Sequence, residues 1–503
     1  MVKGLFMHAI ITVLDVSFEL SNGNILFKYL NFSLGSTLSA LIGPNGIGKT
    51  SLAKLLSGEL EPTRGSISRN FPVTFFPQRQ VMPAVSVEEF LISSQYIWSV
   101  WSERFLQGIN RLKLCNQLSG GEWMRVRLAV TIADQFLILD EPTNDLDRTG
   151  RDIFIEFLKE HRYGVLLISH DRECLQLCEN IFELSLQGLS KFGGGWEFYQ
   201  EMRDQERHHL MDDLDKAKRH RDTTLNDRIQ KKARQEKRNR QGAVAAARGG
   251  MPKILLGGRK RKAQVTSGQI DLETYEKAVH AVQEAHETLE KIKIDPVMYA
   301  DLLSYALPTQ KLVAEAHDFN IRFQDWLYSV DLNFMWRGPV RVAIKGVNGS
   351  GKSTLLKAIR GQNFQIRGSL RSGSLNILYL DQHCAILEDS QTIFENIRDV
   401  SRLDESEIRN GLAKFLFLKD RVFQPVHSLS GGERLRAALA KSFLSTLQPE
   451  LLILDEPTNN LDLVNIEFLE NLVRQFRGAL VIISHDEVFL KNCEMREELI
   501  LSS

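Results

Sequence analysis

Two stretches of this chain have the residue types and spacing to hold phosphate. Residues 43–51 read GPNGIGKTS and residues 346–354 read GVNGSGKST, both fitting G-x-x-x-x-G-K-[ST]. Glycines at those places let the backbone curl until successive N–H groups face phosphate oxygens. A helix opening at the lysine adds its N-terminal dipole. Gly43, Gly48, Lys49 and Thr50 define the first loop; Gly346, Gly351, Lys352 and Ser353 define the second. The lysines suit β- and γ-phosphates, and Thr50 and Ser353 suit Mg²⁺. Two acidic pairs stand elsewhere, Asp140-Glu141 and Asp455-Glu456. The aspartates can organise Mg²⁺, through water, and the glutamates can orient or deprotonate an attacking water. His170 and His485 follow their aspartates by 30 residues each and are expected to touch a γ-phosphate.

Each of these groups needs an element to carry it. Apolar runs (Leu38–Ile42, Val342–Lys345) precede the glycine loops, and helical patterns follow (Leu52, Leu55, Leu56; Leu355, Leu356, Ile359). That is a strand–loop–helix context. FLILD and LLILD read as central parallel strands buried on both faces, with ligands gathering at their carboxyl ends. The motifs also recur in order. The glycine loops are offset by 303 residues, LSGGE (118–122 and 429–433) by 311, and LILDEPTN and ISHD by 315. The chain therefore holds two copies of one α/β domain, expected at 1–199 and 318–503.

The intervening residues 200–317 differ in character. Overall, 63 Lys+Arg balance 63 Asp+Glu. Between Lys216 and Lys262, however, 17 basic residues face 3 acidic ones, a local net of +14. Trp196 to Arg248 contains no proline and one glycine, so a long helix is expected, broken at Gly249–Pro252. A basic tip follows, with Lys253, Arg259, Lys260, Arg261 and Lys262 as candidate RNA contacts beside Ile254, Leu255 and Leu256. A second, antiparallel helix is expected from Asp271. A solvated helix face or a disordered linker is the plainer reading of the same charge run.

Composition excludes several classes. No apolar stretch approaches the roughly 20 residues of a membrane span. The apolar N-terminal run from Gly4 to Leu14, ended by Asp15, reads as an opening strand and not a signal peptide. Five cysteines lack zinc spacing and read as reduced apolar fillers, with Cys174 and Cys178 on one helix face.

With LSGGE beside the other motifs, both copies resemble the ATP-binding cassette superfamily. The fold implied is two P-loop NTPase cassettes joined by a long helical-hairpin linker. The resemblance implies ATP as the ligand of both loops, with Asn45, Gly46, Ser51 and Asn348, Gly349, Thr354 completing them. It implies signatures at Ser119, Gly120, Gly121 and Ser430, Gly431, Gly432, each serving the opposite cassette's ATP. Gln78 and Gln382 match the superfamily's metal- and water-linked glutamine. Phe323 offers an adenine-stacking ring in the second copy; the first has Leu20 at that offset, with Phe18 nearby.

PTNDLD and PTNNLD resemble the ABC-F family's PTNxLD. Only 40 residues separate Gln78 from Ser119, and 47 separate Gln382 from Ser430, short for a transporter's helical subdomain. FGGGWEFY (192–199) is similar to the turn that leads into the ABC-F linker. This second resemblance implies a cytoplasmic, monomeric ATP hydrolase that pairs its own cassettes on ATP and Mg²⁺ and lacks a stable membrane subunit. Its implied partner is the 70S ribosome. Cassette closure would bring the linker to rRNA and P-site tRNA near the peptidyl-transferase centre, to modulate translation or protect against antibiotics. The alternative is the energy-coupling subunit of a membrane transporter.

Overall fold

The structure, a computed structural model, describes residues 10–20, 23–94, 96, 98–131, 134–185, 187–247, 306–347, 349–381, 384–459 and 461–501. The chain divides into two compact units, residues 1–199 with 296–503, and residues 200–295. Asn348, Gln382 and the linker-tip residues Lys253, Arg259, Lys260, Arg261 and Lys262 lie outside the described residues, as does the expected second linker helix.

In the first cassette β1 (Ile11–Glu19), β2 (Ile25–Leu34) and β4 (Arg64–Arg69) form an antiparallel sheet ordered β2-β1-β4. A second sheet is ordered β5-β6-β7-β3-β8-β9, from β3 (Leu38–Ile42), β5 (Val73–Phe76), β6 (Phe136–Asp140), β7 (Val165–Ile168), β8 (Asn180–Ser185) and β9 (Gly188–Gly193). All pairs are parallel except β8–β9. Around it stand α1 (Lys49–Ser57), α2 (Val87–Ser93), α3 (Val100–Leu106), α4 (Gly120–Thr131), α5 (Arg148–Glu160) and α6 (Arg172–Gln176). Every residue of β6 is buried, as an apolar run covered on both faces requires.

The second cassette repeats this plan. Its antiparallel sheet is ordered β11-β10-β13, from β10 (Leu312–Arg322), β11 (Leu332–Arg337) and β13 (Gln365–Ser372). Its parallel sheet is ordered β14-β15-β16-β12-β17, from β12 (Arg341–Lys345), β14 (Ile377–Leu380), β15 (Leu451–Asp455), β16 (Ala479–Ile483) and β17 (Glu497–Ile500). The helices are α8 (Lys352–Ile359), α9 (Ile393–Arg398), α10 (Glu405–Lys414), α11 (Gly431–Phe443), α12 (Leu463–Gln475) and α13 (Glu487–Asn492).

Three expectations need correction. The boundary at Asp318 falls inside β10, whose earlier residues already pair with Phe334–Arg337 of β11. β1 does not end at Asp15; it bulges there at φ 55 and continues to Glu19. Of the expected opening strand, Gly4–Ala9 lie outside the described residues. Cys178 lies beyond the end of α6, so it shares no helix face with Cys174. All five cysteines are buried and unbridged, and burial pushes the Cys178 thiol up to about 12.

In the second unit the described residues belong to α7 (Gly195–Ala247). Its 53 residues span roughly 80 Å at about 1.5 Å each. Ion pairs one turn apart, such as Asp213–Lys216 at 3.0 Å, support it locally.

Candidate functional site

The strand order decides where the chemistry collects. β3 lies between β7 and β8, and β6 is the next neighbour of β7. The carboxyl ends of β3, β6 and β7 therefore bring the first glycine loop, Asp140-Glu141 and the His170 loop to one edge. β12, β15 and β16 do the same for the second set.

Both glycine loops adopt one geometry. Lys49 Nζ donates to the carbonyls of Gly43 and Pro44 at 2.7 and 3.2 Å, and Lys352 Nζ to those of Gly346 and Val347 at the same distances. Each ammonium is buried against carbonyls, and burial lowers both pKa values against the opposing pull of nearby carboxylates. A buried cation beside curled backbone N–H groups fits a polyphosphate. The helix-capping glycines sit at φ 107 (Gly48) and 85 (Gly351), conformations closed to most side chains. At Gly351 a Cβ would also come within 2.5 Å of Leu327.

Thr50 Oγ1 donates to Asp140 Oδ2 at 2.7 Å, so two hard oxygens stand together as Mg²⁺ requires. The second site differs. Asp455 Oδ2 accepts from the Tyr379 hydroxyl at 3.0 Å, while Phe75 holds the matching place in β5. Arg360 lies over the Tyr379 ring at 4.1 Å.

Glu141 and Glu456 both take φ 48, the left-handed region. Their amides donate to Ile168 and Ile483 across the sheet at 2.8 and 2.9 Å, which fixes the turn. Burial raises the Glu141 carboxyl well above the usual range, and raises Glu456 to about 7 against the pull of Lys352. His170 Nε2 stands 3.6 Å from Glu141, and His485 Nε2 3.4 Å from Glu456. Burial holds both imidazoles neutral, taking His485 down to about 4 and His170 well down. Both Nε2 atoms are buried without a hydrogen-bond partner in the protein, which suits a ligand acceptor.

The cassettes meet at these loops. Asn45 N donates to Asp462 Oδ2 at 3.1 Å, joining the first glycine loop to the end of the second PTNNLD run. Arg151 Nη1 donates to the carbonyl of His485 at 2.9 Å. Arg172 and Glu470 form a buried pair at 2.6 Å.

The signatures open α4 and α11 through capping boxes. Ser119 accepts from Glu122 N and donates its own N–H to Glu122; Ser430 and Glu433 repeat the exchange. The S-x-x-E spacing that predicts this lies inside LSGGE itself. Gln78 is described, and Arg127 of α4 donates to its carbonyl at 3.4 Å, to Gln80 Oε1 at 3.1 Å and to the Pro77 carbonyl, with Phe76 beneath the guanidinium. Sequence reasoning missed Arg127, Arg151 and Tyr379. Comparing the copies would have flagged them, since Ala438, Ile466 and Phe75 hold the matching places. Phe323 is 60% exposed, near Trp326, which sequence reasoning also missed. Phe18 instead stacks on Phe27.

The family described as ABC transporter matches residues 28–144 and 330–459. The chain is 29% identical to the ribosome protection protein VmlR of Bacillus subtilis (strain 168), covering 96% of this chain and 85% of that one. It is 27% identical to the erythromycin resistance ATP-binding protein MsrA of Staphylococcus epidermidis, covering 90% of each. The fold is similar to the structure of the complex of archaeal ribosomal stalk protein aP1 and archaeal ribosome recycling factor aABCE1, with TM-score 0.62 and 17% identity over 97% of this chain and 87% of that one. Among the described residues, no helix is long and apolar enough to cross a membrane.

Proposed function

This chain belongs to the ABC-F family of tandem ATP-binding cassette ATPases, and from that premise we propose that it is a cytoplasmic, ribosome-binding enzyme whose cassettes close on two molecules of ATP. Like its family, it hydrolyses ATP to ADP and phosphate. Lys49 and Lys352 hold the terminal phosphates. Glu141 and Glu456 take the proton of the attacking water, and their raised carboxyls match that task near neutral pH. His170 and His485, kept neutral, each donate one N–H to a γ-phosphate oxygen. Thr50 with Asp140, and Ser353 with Asp455, would hold Mg²⁺, which would supply charge neutralisation on the phosphates. Gln78 and Gln382 would link that metal and the attacking water to the signature helices. Ser119, Gly120, Gly121 and Ser430, Gly431, Gly432 serve the opposite cassette's ATP.

The observation that carries the closure reading is the hydrogen bond from Asn45 N to Asp462. Asp462 also favours the charge on Lys49, and Asp147 does the same for Lys352, so each lysine senses the other cassette. A ligand shifts a conformational equilibrium only by its differential affinity, and ATP makes its full contacts in the closed state. Closure then sets the linker, residues 200–295, against rRNA and P-site tRNA near the peptidyl-transferase centre, with Lys253, Arg259, Lys260, Arg261 and Lys262 as its cations. No stable membrane subunit is part of this reading, and the protein acts as a monomer.

Co-sedimentation tests it. A Glu141→Gln/Glu456→Gln variant is expected to pellet with 70S ribosomes in ATP and to leave them in ADP. Equal retention in the two nucleotides would overturn the clamp.

A further inference from the structure

Arg151 joins the loops of the two site histidines. It stands on α5, four residues after the helix-capping Asp147, and is 6% exposed. Nη1 donates to the main-chain carbonyl of His485 at 2.9 Å, and Nη2 to Asp171 Oδ1 at 2.6 Å. Asp171 follows His170 directly. The same carboxylate accepts from the amides of Glu173 and Cys174, so it also caps α6. One guanidinium therefore grips the first histidine loop by a side chain and the second by its backbone.

The internal repeat would place a mirror contact 315 residues on, but that residue is Ile466, buried and apolar. Both Arg151 and Ile466 line a cavity of about 60 Å³ that also touches His170, His485, Glu141 and Glu456. The second site's histidine loop is thus held by a charge from the other cassette, while the matching place in the second cassette offers only a sec-butyl hydrocarbon. A planar guanidinium can span two acceptors in fixed directions; a lysine ammonium in its place cannot reproduce that geometry.

We propose that Arg151 is a positioning residue for the second ATP site, holding His485 in place and making turnover there depend on the first site's histidine loop. The proposal rests on Glu141 and Glu456 being the hydrolytic carboxylates of separate sites. Full-length chains with Glu141→Gln keep the second site, and those with Glu456→Gln keep the first. Arg151→Lys and Arg151→Met are placed in each background and assayed with Mg-ATP.

In the Glu141→Gln background Arg151→Lys is expected to lower kcat by about tenfold with KM changed much less, as misplacement of a group used in the transition state requires. Arg151→Met should lower it further. In the Glu456→Gln background both should cost clearly less, because Asp171 stays anchored by the amides of Glu173 and Cys174 when the guanidinium is gone. Thermal melts accompany every variant, and if Arg151→Met unfolds early, the charge-keeping Arg151→Lys carries the comparison. Equal losses in both backgrounds, or losses in neither, overturn the proposal and leave the assignment of the glutamates intact. A Glu141→Gln/Glu456→Gln chain that still turned over at the parental rate would overturn that assignment and the proposal together.

Discussion

Glu456 is held on a left-handed backbone, which costs a non-glycine residue about 1 kcal/mol or more. Burial adds to that cost by lifting its carboxyl to about 7. A carboxyl raised in the folded state contributes stability that is complete below the unfolded value of about 4.3 and is lost as pH rises through the folded value. Glu456→Gln removes this dependence. Without nucleotide, its melting temperature should match the parent's near pH 4.5 and exceed it by several degrees at pH 8, reflecting at most a few kcal/mol. A constant difference across that window would mean that Glu456 does not titrate there. Tyr379 is a second residue-scale lever. Tyr379→Phe removes the hydroxyl that Asp455 accepts, a bond worth ~1 kcal/mol or somewhat more to a charged acceptor. The Mg²⁺ concentration for half-maximal turnover should shift several-fold in the Glu141→Gln background and stay put with Glu456→Gln. The glycine loops, lysines and paired acids that the strand ends bring together were readable because each has a distinct local chemistry. Arg127 and Arg151 were not, because what they touch depends on packing between distant elements.

At the scale of elements, both antiparallel sheets carry the same defect. Asp15 and Asp318 take φ 55 and 46, and β4 and β13 pass them with Gly65 and Gly368. A Cβ on Gly368 would approach the His317 carbonyl to 2.2 Å, and that glycine's own φ is 71. Gly368→Ala should therefore cost roughly 1–3 kcal/mol by strain and overpacking, read as a lower midpoint in urea. An unchanged midpoint would show that the bulge relaxes freely. This bulge also explains the misplaced boundary. His317 and Asp318 interrupt the apolar alternation of LVAEAHDFNIR, so one strand reads as the end of a linker and the start of a domain. The buried strands β6 and β15, by contrast, were legible, because a continuous apolar run ending in Asp has few other solutions. Helix α7 was legible from what it lacks, since its 53 residues hold no proline and only Gly242 in the interior, which offers little to stop a helix.

Across the whole cassette unit, the interface is held by a charge pair taken out of water. Arg172 of α6 meets Glu470 of α12 at 2.6 Å, each side chain about 5% exposed. Asn492 donates to the same carboxylate at 3.0 Å. Burial pushes Glu470 up, and Arg172 and Asn492 oppose it. The two copies do not mirror this pair, for Ile155 and Glu487 occupy the matching places. A buried pair is expensive to assemble and more expensive to break, because removing one partner leaves the other charge uncompensated, at about 3–5 kcal/mol. Arg172→Met should therefore lower the melting temperature sharply, with a broadened or split calorimetric transition as the cassettes lose their common cooperativity. Replacing both partners tells cost from benefit. Arg172→Met/Glu470→Met removes the stranded carboxylate and offers hydrocarbon to the same space, so it should recover most of the loss, and the cycle should show strong coupling. A double variant as unstable as Arg172→Met alone would place the stabilisation in the packing of α6 on α12. Parental melting by Arg172→Met itself would mean that the pair does not hold the cassettes together.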